Sequence, residues 1–447
     1  MIAPDDGDGR ARVLIAGGGI AALELLLALR VLAGSRVAVT VLTAGAQLVP
    51  RAMTVAEPFQ RGGAQAYDWT QIAEEMGANV VIDKLIAVDT AERLVFTNGG
   101  RRMRYDVLVA TTGARRIEPF AGALTFGVRA VAAPGLGELV GGDLRRDASS
   151  VAFALPSPSI WPLPLYELAL LTANELREHG SDAAVRLVTP EEYALELFGP
   201  AARDAIEPML DALGIELVTG ARPVAVLAGV LQLADGEIAA EHVVTLAEVS
   251  ARPVAGLPID RAGFIPVDLH GQVAGEPDVY AAGESTSYPL RQGGLATQQA
   301  DAVAEAIAHR FAGGAAPAGF RPVLRGRMLT SGAPLYLQSR PSGQSLASTR
   351  SLWSPPEKVA GRYLAPYLAT ARPGRIGSAP LSERVPATAG AHSDEGDAVT
   401  LALAIAAAEA RHGNASRWLQ ALEAARALDP DVHVPLVAPP GLEVPAR

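Results

Sequence analysis

The sequence predicts an α/β protein: two Rossmann-like domains, each a doubly wound parallel sheet, and a C-terminal segment that ends in a helical hairpin. Three observations predict it. The head of the chain reads strand, glycine turn, helix, strand: "RVLIAGGG", "IAALELLLALRVLAG", "SRVAVTVLT". A second strand-and-helix succession recurs downstream, beginning at "VAFALPSPSIWPLPLYELALL". The strands are continuously apolar rather than alternating, which belongs to parallel sheets covered on both faces.

Taken in order, the first helix is apolar nearly all round, with only Glu24 and Arg30 charged, so it should be buried against a sheet. A strand–turn–strand segment follows through "ANVVIDKLIAVDTAERLVFTNGGRRMRYDVLVATTGA". The second unit is predicted to carry strands at 151–155, 185–189 and 215–219 and helices at 164–179 and 201–213. It closes with a hairpin turning at "ADGE". Short strands and loops then lead to "LATQQADAVAEAIAHRFAGG", a helix with a glycine stop. From about 320 the chain is rich in Pro, Gly, Ser and Arg, until an αα-hairpin begins at "DAVTLALAIAAAEARHG". The expected domains are 12–126 with 255–320, an inserted 127–254, and a covering segment with the hairpin at 321–447. No repeat of solenoid length occurs.

Composition narrows the chemistry. The chain's 447 residues suit two or three domains. No apolar run is long enough to span a bilayer. The acidic start, "MIAPDDGDGRAR", has no apolar core of a signal peptide, so a cytoplasmic protein is expected. A net charge of −10 argues against a nucleic-acid partner. There is no cysteine, which excludes disulfides, thiolate nucleophiles, iron–sulfur clusters and cysteine zinc sites. The seven His residues form no HExxH-type pair, so no metal is expected.

The first motif, "AGGGIAA", gives GxGxxA at Gly17, Gly19 and Ala22. Gly17 allows the tight turn, Gly19 lets the backbone touch a pyrophosphate at a helix N-terminus, and Ala22 lets helix and strand pack closely. The acidic residue that would hold a ribose is replaced by Thr43, which either hydrogen-bonds the ribose through its hydroxyl or simply ends the strand. The second motif is "YDVLVATTGA", residues 105–114, and the third is "DVYAAGEST", residues 278–286, followed by "RQGGLATQQADAVAEAI".

These three motifs in this order resemble the flavoproteins with two dinucleotide-binding domains, which hold FAD in the first and typically NAD(P)H in the inserted second. "QGGLATQQAD" and "PLYELAL" resemble the branch of sulfide:quinone reductases, flavocytochrome c sulfide dehydrogenases and type II NADH dehydrogenases. The resemblance covers about residues 12–320. It implies that Thr111, Thr112 and Gly113 lie beside the adenine side of FAD. It also implies that Gly283 and Glu284 hold the ribityl chain, with Glu in place of the usual Asp. Gln292, Gly293, Gly294 and Leu295 would bring a helix start to the flavin's N1–C2=O edge, where reduction builds negative charge. Arg291 would add a positive charge there, or be a solvated surface arginine.

The second-domain loop departs from the family. "PSPSIWPLP" has no glycine, and prolines remove both space and N–H donors, so ordinary NAD(P)H binding is not expected. Thr189 stands where that domain's acidic ribose partner belongs. In the sulfide-oxidising relatives a reactive cysteine precedes the helix; its register falls at about Trp161, which closes thiol-based sulfide oxidation. Trp161 either stacks on the flavin or packs at the domain boundary. Glu167 either moves protons for a quinone or flavin N5, or satisfies the helix dipole.

In the tail, Lys358, Arg362 and Tyr363 either face an acceptor or belong to a covering segment. The hairpin's mixed charges, Glu409, Arg411, Arg417, Glu423 and Arg426, make membrane docking unexpected; packing on the body or on a second copy as a homodimer is expected. The functional expectation is an FAD-dependent oxidoreductase passing electrons between a small donor and a quinone-like acceptor. The rival is a redox-silent, flavoprotein-like assembly component.

Overall fold

The computed structural model describes residues 9–128, 134–144, 149–313, 315–371 and 397–432, together with positions 434, 438 and 442. Most of the Pro-, Gly- and Ser-rich stretch before the hairpin, and the first eight residues, lie outside them.

The strand Ala11–Ala16 lies inside a six-stranded sheet, pairing in parallel with Val37–Thr43 and with Val107–Ala110. Asn79–Ile82 and Glu276–Ala281 extend it in parallel, and Gln272–Val273 closes one edge antiparallel. The crossover helix Ile20–Leu32 buries every residue from Ala21 to Leu29, including Glu24. It packs between this sheet and the helix Gly293–Ala312, so its lack of a polar face is the expected consequence of burial on both sides. Because the central strands are parallel, Ala16, Thr43, Ala110 and Ala281 all end at one edge, where open α/β sheets bind ligands.

The second sheet is parallel throughout, in the order Leu124–Phe126, His242–Leu246, Ser150–Ala154, Ala184–Val188, Glu216–Val218. The two passages between the sheets, Arg115–Ile117 and Glu248–Ser250, pair antiparallel with each other. The predicted closing hairpin is instead a three-stranded antiparallel sheet, Pro223–Leu227, Val230–Leu233 and Gly236–Ala239. His242–Leu246 leaves it for the centre of the parallel sheet, where the buried run Val243–Leu246 is covered on both sides.

Beyond residue 320 the sequence reading missed a further antiparallel sheet, Leu324–Met328, Leu335–Ser339 and Ser345–Ser348. A short helix, Leu364–Thr370, and the hairpin Asp397–Arg411 and Ala415–Leu428 follow. Leu401, Ile405, Trp418 and Leu422 of the hairpin join one core with Leu168, Leu171 and Leu337, so the hairpin packs on the body of the molecule. Three of its charges pair with the body: Arg411 with Glu192 at 2.9 Å, Arg417 with Glu248 at 2.8 Å and Glu423 with Arg261 at 3.3 Å. Among the described residues no helix is long and apolar enough to cross a membrane.

Glu24 ties the covering segment to the first helix. It accepts the N–H groups of Tyr363 at 2.9 Å and Leu364 at 2.5 Å. Asp301, on the long helix, faces it. Burial raises the pKa of both carboxyls; Glu24 raises that of Asp301 further, while the hydrogen bond from Asp301 lowers that of Glu24. A raised folded-state value means that this contribution to stability is complete below the ordinary carboxyl value and is lost as pH rises through the raised one. We therefore expect wild type to lose melting temperature as pH rises from about 5 to about 7, the raised value of Glu24, and Asp301→Asn to be the more stable protein at the top of that range. Circular-dichroism melts across that range check it; parallel curves for the two proteins would contradict it.

Candidate cofactor and active site

A cleft of about 810 Å³ opens at the carboxyl edge of the first sheet, walled by both sheets and by the strand Leu324–Met328. Such a volume suits a bound cofactor. Of the residues singled out in the sequence, Gly19, Thr111, Thr112, Gly113, Trp161, Glu167, Gly283, Glu284, Arg291, Gln292, Gly293 and Gly294 line it. Gly17, Ala22, Thr43 and Leu295 stand behind the wall.

The glycine turn divides its labour. At Gly17 φ is +139°, and a Cβ would stand 2.0 Å from the Thr111 carbonyl oxygen. Its N–H donates to Leu42 O at 2.8 Å, so Gly17 binds the turn to both neighbouring strands. A Cβ on Gly18 would stand 2.0 Å from Thr43 Oγ1. Gly19 is different: a Cβ there would meet nothing within 4 Å, because it would enter the cleft. The helix Ile20–Leu32 starts at Gly19 with no side-chain cap and no acidic residue in its first turn. That leaves a positive helix end facing open space. Thr111 is fixed to the first strand through its N–H and hydroxyl, both on Ala16 O, at 2.8 and 3.2 Å. Thr112 Oγ1 is buried without a hydrogen-bond partner. An uncapped helix, an open glycine and an orphaned hydroxyl on one wall fit a dinucleotide such as FAD. Thr43 does not take the ribose position: it is buried, and its hydroxyl donates to Gly45 O at 2.9 Å within its own turn.

At the other end, Gly283 has φ +79° and donates its N–H to Gln299 Oε1 at 2.7 Å. Glu284 is ion-paired with Arg116, from the passage between the sheets. Gln292 acts differently from the expectation. Its Oε1 caps its own helix by accepting Leu295 N–H at 2.6 Å, and its Nε2 donates to Arg325 O at 3.1 Å. Leu295 thus spends its N–H on the cap and its side chain on the core, leaving Gly293 and Gly294 on the wall. Arg291 is not a solvated arginine. Its guanidinium lies 3.7 Å from the centre of the Phe264 ring and donates to Pro289 O at 3.0 Å. Burial pulls its pKa down to about 10.

The second domain adds Trp161, set edge-on to Phe198 at 5.3 Å, and Glu167. Glu167 is fully buried. Lys358 Nζ donates to its two oxygens at 2.6 and 2.8 Å, and Leu329 N–H donates at 2.7 Å. Burial raises the Glu167 pKa, and Lys358 works against it. The partner of this carboxylate is therefore a lysine of the covering segment rather than the helix end.

The glycine-free loop of the second domain is filled from within. Ser157 donates its hydroxyl to Glu409 Oε1 at 2.7 Å, and Ser159 donates its N–H to the same oxygen at 3.0 Å. Glu409 is fully buried: it continues the inward stripe Leu401, Ala402, Ile405, Ala406 of its helix, although the sequence places it among surface charges. A carboxylate of this chain thus occupies the donors that such a loop offers to a phosphate. At the next strand end Thr189 and the Tyr166 hydroxyl donate to Glu191 Oε2 at 2.9 and 2.7 Å. Burial pushes the Glu191 pKa up to about 7. The sequence reading missed both Glu191 and Glu409 as site-forming residues.

Residues 168–307 match the family described as pyridine nucleotide-disulphide oxidoreductase. The fold is similar to that of the sulfide:quinone oxidoreductase from the hyperthermophilic bacterium Aquifex aeolicus, with a TM-score of 0.67 and 17% identity over 76% of this chain and 86% of that chain. It is also similar to a ferredoxin reductase of Rhodopseudomonas palustris, with a TM-score of 0.55 and 18% identity over 74% and 82% of the two chains. A chain in the structure of the Tetrahymena thermophila mitochondrial ATP synthase has a TM-score of 0.56 and 12% identity over 81% of this chain and 93% of that one. No curated protein matches the chain by sequence. The matched segment and the doubly wound fold are thus similar to pyridine nucleotide-disulphide oxidoreductases, in a chain that has no cysteine.

Proposed function

We propose that the chain is an FAD-dependent oxidoreductase passing electrons between a small organic donor other than NAD(P)H and an acceptor such as a quinone, with no thiol step. The observation that carries this reading is the cleft wall, where Gly19 leaves open space in front of an uncapped helix start. FAD, when bound, supplies the redox chemistry. The chain's residues hold and surround it. Gly19 and the first turn of the helix Ile20–Leu32 take the diphosphate, and the Thr112 hydroxyl, otherwise unpartnered, takes a polar group of the adenosine half. Gly293 and Gly294 bring backbone and helix start to the other half, and half-buried Arg291 adds positive potential. Glu167, whose pKa is raised, can hold a proton on its carboxyl oxygen beside Lys358.

The donor is read from the second domain. A nicotinamide dinucleotide would bring its pyrophosphate to donors already bound to Glu409, and two anions there repel. With no cysteine in the chain, electrons cannot pass through a disulfide either. This supports a donor that meets the flavin directly. A second reading, a non-catalytic assembly component, is favoured by the similarity to 93% of a chain in the ATP synthase structure.

Three outcomes follow. Protein purified with FAD shows a bound flavin spectrum, and Gly19→Val keeps the circular-dichroism signature of wild type while FAD affinity drops about tenfold or more. NADH and NADPH leave the flavin band of wild type unbleached, whereas a small donor or a quinol bleaches it. A flavin that no donor reduces, in a protein that co-purifies with stable partners, would favour the assembly reading. Glu409→Ala leaves the donors of Ser157 and Ser159 unpaired, a loss of about 1–3 kcal/mol, read as faster hydrogen exchange across Asp397–Leu428.

A further inference from the structure

One stretch of the cleft wall is not accounted for by a dinucleotide. The strand Leu324–Met328 runs along the joint between the starts of the helices Gly293–Ala312 and Leu163–Glu178. Gln292 Nε2 holds Arg325 O on one side, and Leu329 N–H is held by Glu167 on the other. Gly326 makes the contact close: a Cβ there would stand 2.8 Å from Leu163 and 3.0 Å from Phe198. Strand alternation therefore buries Leu324, Gly326 and Met328 and turns Arg325 and Arg327 the other way, along one face. Both line the cleft and both are half-buried.

Among the described residues neither guanidinium has a hydrogen-bond or ion-pair partner, and the Nε of each is buried and unpaired. Three other cations on this wall are paired with carboxylates: Arg116 with Glu284, Arg417 with Glu248 and Lys358 with Glu167. Two like charges two residues apart repel, and removing them from water adds to the cost. A chain with a net charge of −10 has acidic residues in excess, yet among the described residues none lies within ion-pair distance of these two; Glu167 and Asp301 act on Arg327 and Arg325 only from farther off. Burial pulls the Arg325 pKa down, but a guanidinium stays charged and still needs an acceptor. The forked donor set of arginine matches two oxygens of one group.

We infer that Arg325 and Arg327 form a subsite for an anionic group, a carboxylate or a phosphate, carried by the small molecule that exchanges electrons in this cleft. The anion site stands on the arginines alone; its assignment to the redox substrate rests on the flavin reading above.

Calorimetric titration of FAD-loaded protein with malonate and with inorganic phosphate, at ionic strength held constant with chloride, tests it. We expect one of the two probes to bind, which tells carboxylate from phosphate. The doubly substituted Arg325→Gln, Arg327→Gln protein should lose about tenfold or more of that affinity. Arg325→Lys, Arg327→Lys, which keeps the charge without the fork, should lose part of it, and circular dichroism confirms that both variants are folded. Equal binding to wild type and the Gln variant, or no binding of either probe, overturns the inference. So does a variant whose FAD affinity falls while its anion affinity does not, because the arginines would then serve the cofactor. If the protein takes up no FAD, the flavin reading fails, and the same wild-type-against-variant difference in flavin-free protein still decides the subsite.

Discussion

Parallel pairing in the first sheet is the constraint on which the site depends. Because Ala11–Ala16, Val37–Thr43, Val107–Ala110 and Glu276–Ala281 run the same way, their ends meet at one edge. The segments that follow them are then neighbours in space although far apart in sequence. Gly17 shows how tightly this is drawn: its missing Cβ is what lets the first turn approach Thr111. A slip of one residue in either strand pair would invert every side chain there and close the cleft.

Onto that edge the rest of the chain is fastened by buried carboxylates. Glu24 receives the covering segment, Glu167 receives Lys358 and Leu329, Glu191 receives Tyr166 and Thr189, and Glu409 receives the glycine-free loop. Each is buried and each is answered by donors from another element or turn. Unanswered, such groups would be strongly destabilising; answered, they admit one arrangement of the surrounding elements. The same device that fixes the architecture fills the second nucleotide loop. There a carboxylate of the hairpin accepts the loop's donors, so the loop serves as a seat for the hairpin.

Local patterns were legible in the sequence. The strand–turn–helix at Gly17 and Gly19, the buried first helix and the helical hairpin all follow from neighbouring residues. Partnerships were not. Arg116 and Glu284 lie 168 positions apart, Lys358 and Glu167 191, and Ser157 and Glu409 252. No periodicity window reaches so far, so Glu409 read as a surface charge, and Glu167 as either a proton-moving or a helix-end carboxylate, without its lysine. The cap made by the Gln292 side chain went unread for a nearer reason. A polar residue before a helix can present its backbone to a ligand or cap the helix with its side chain, and both produce the same letters. The sheet after residue 320 went unseen because two of its short strands carry arginines and serines in place of apolar runs.

The two passages between the sheets form a single antiparallel ribbon, Arg115–Ile117 against Glu248–Ser250. A ribbon of two short strands bends across its flat face far more easily than it shears, so it gives the two halves of the molecule a natural axle. Arg116 lies on that axle and holds Glu284 from the opposite half, while Arg417 holds Glu248 on the other strand. Swinging one half away from the other would stretch both ion pairs at once, so salt bridges at the pivot act as a brake on how wide the mouth of the cleft can gape.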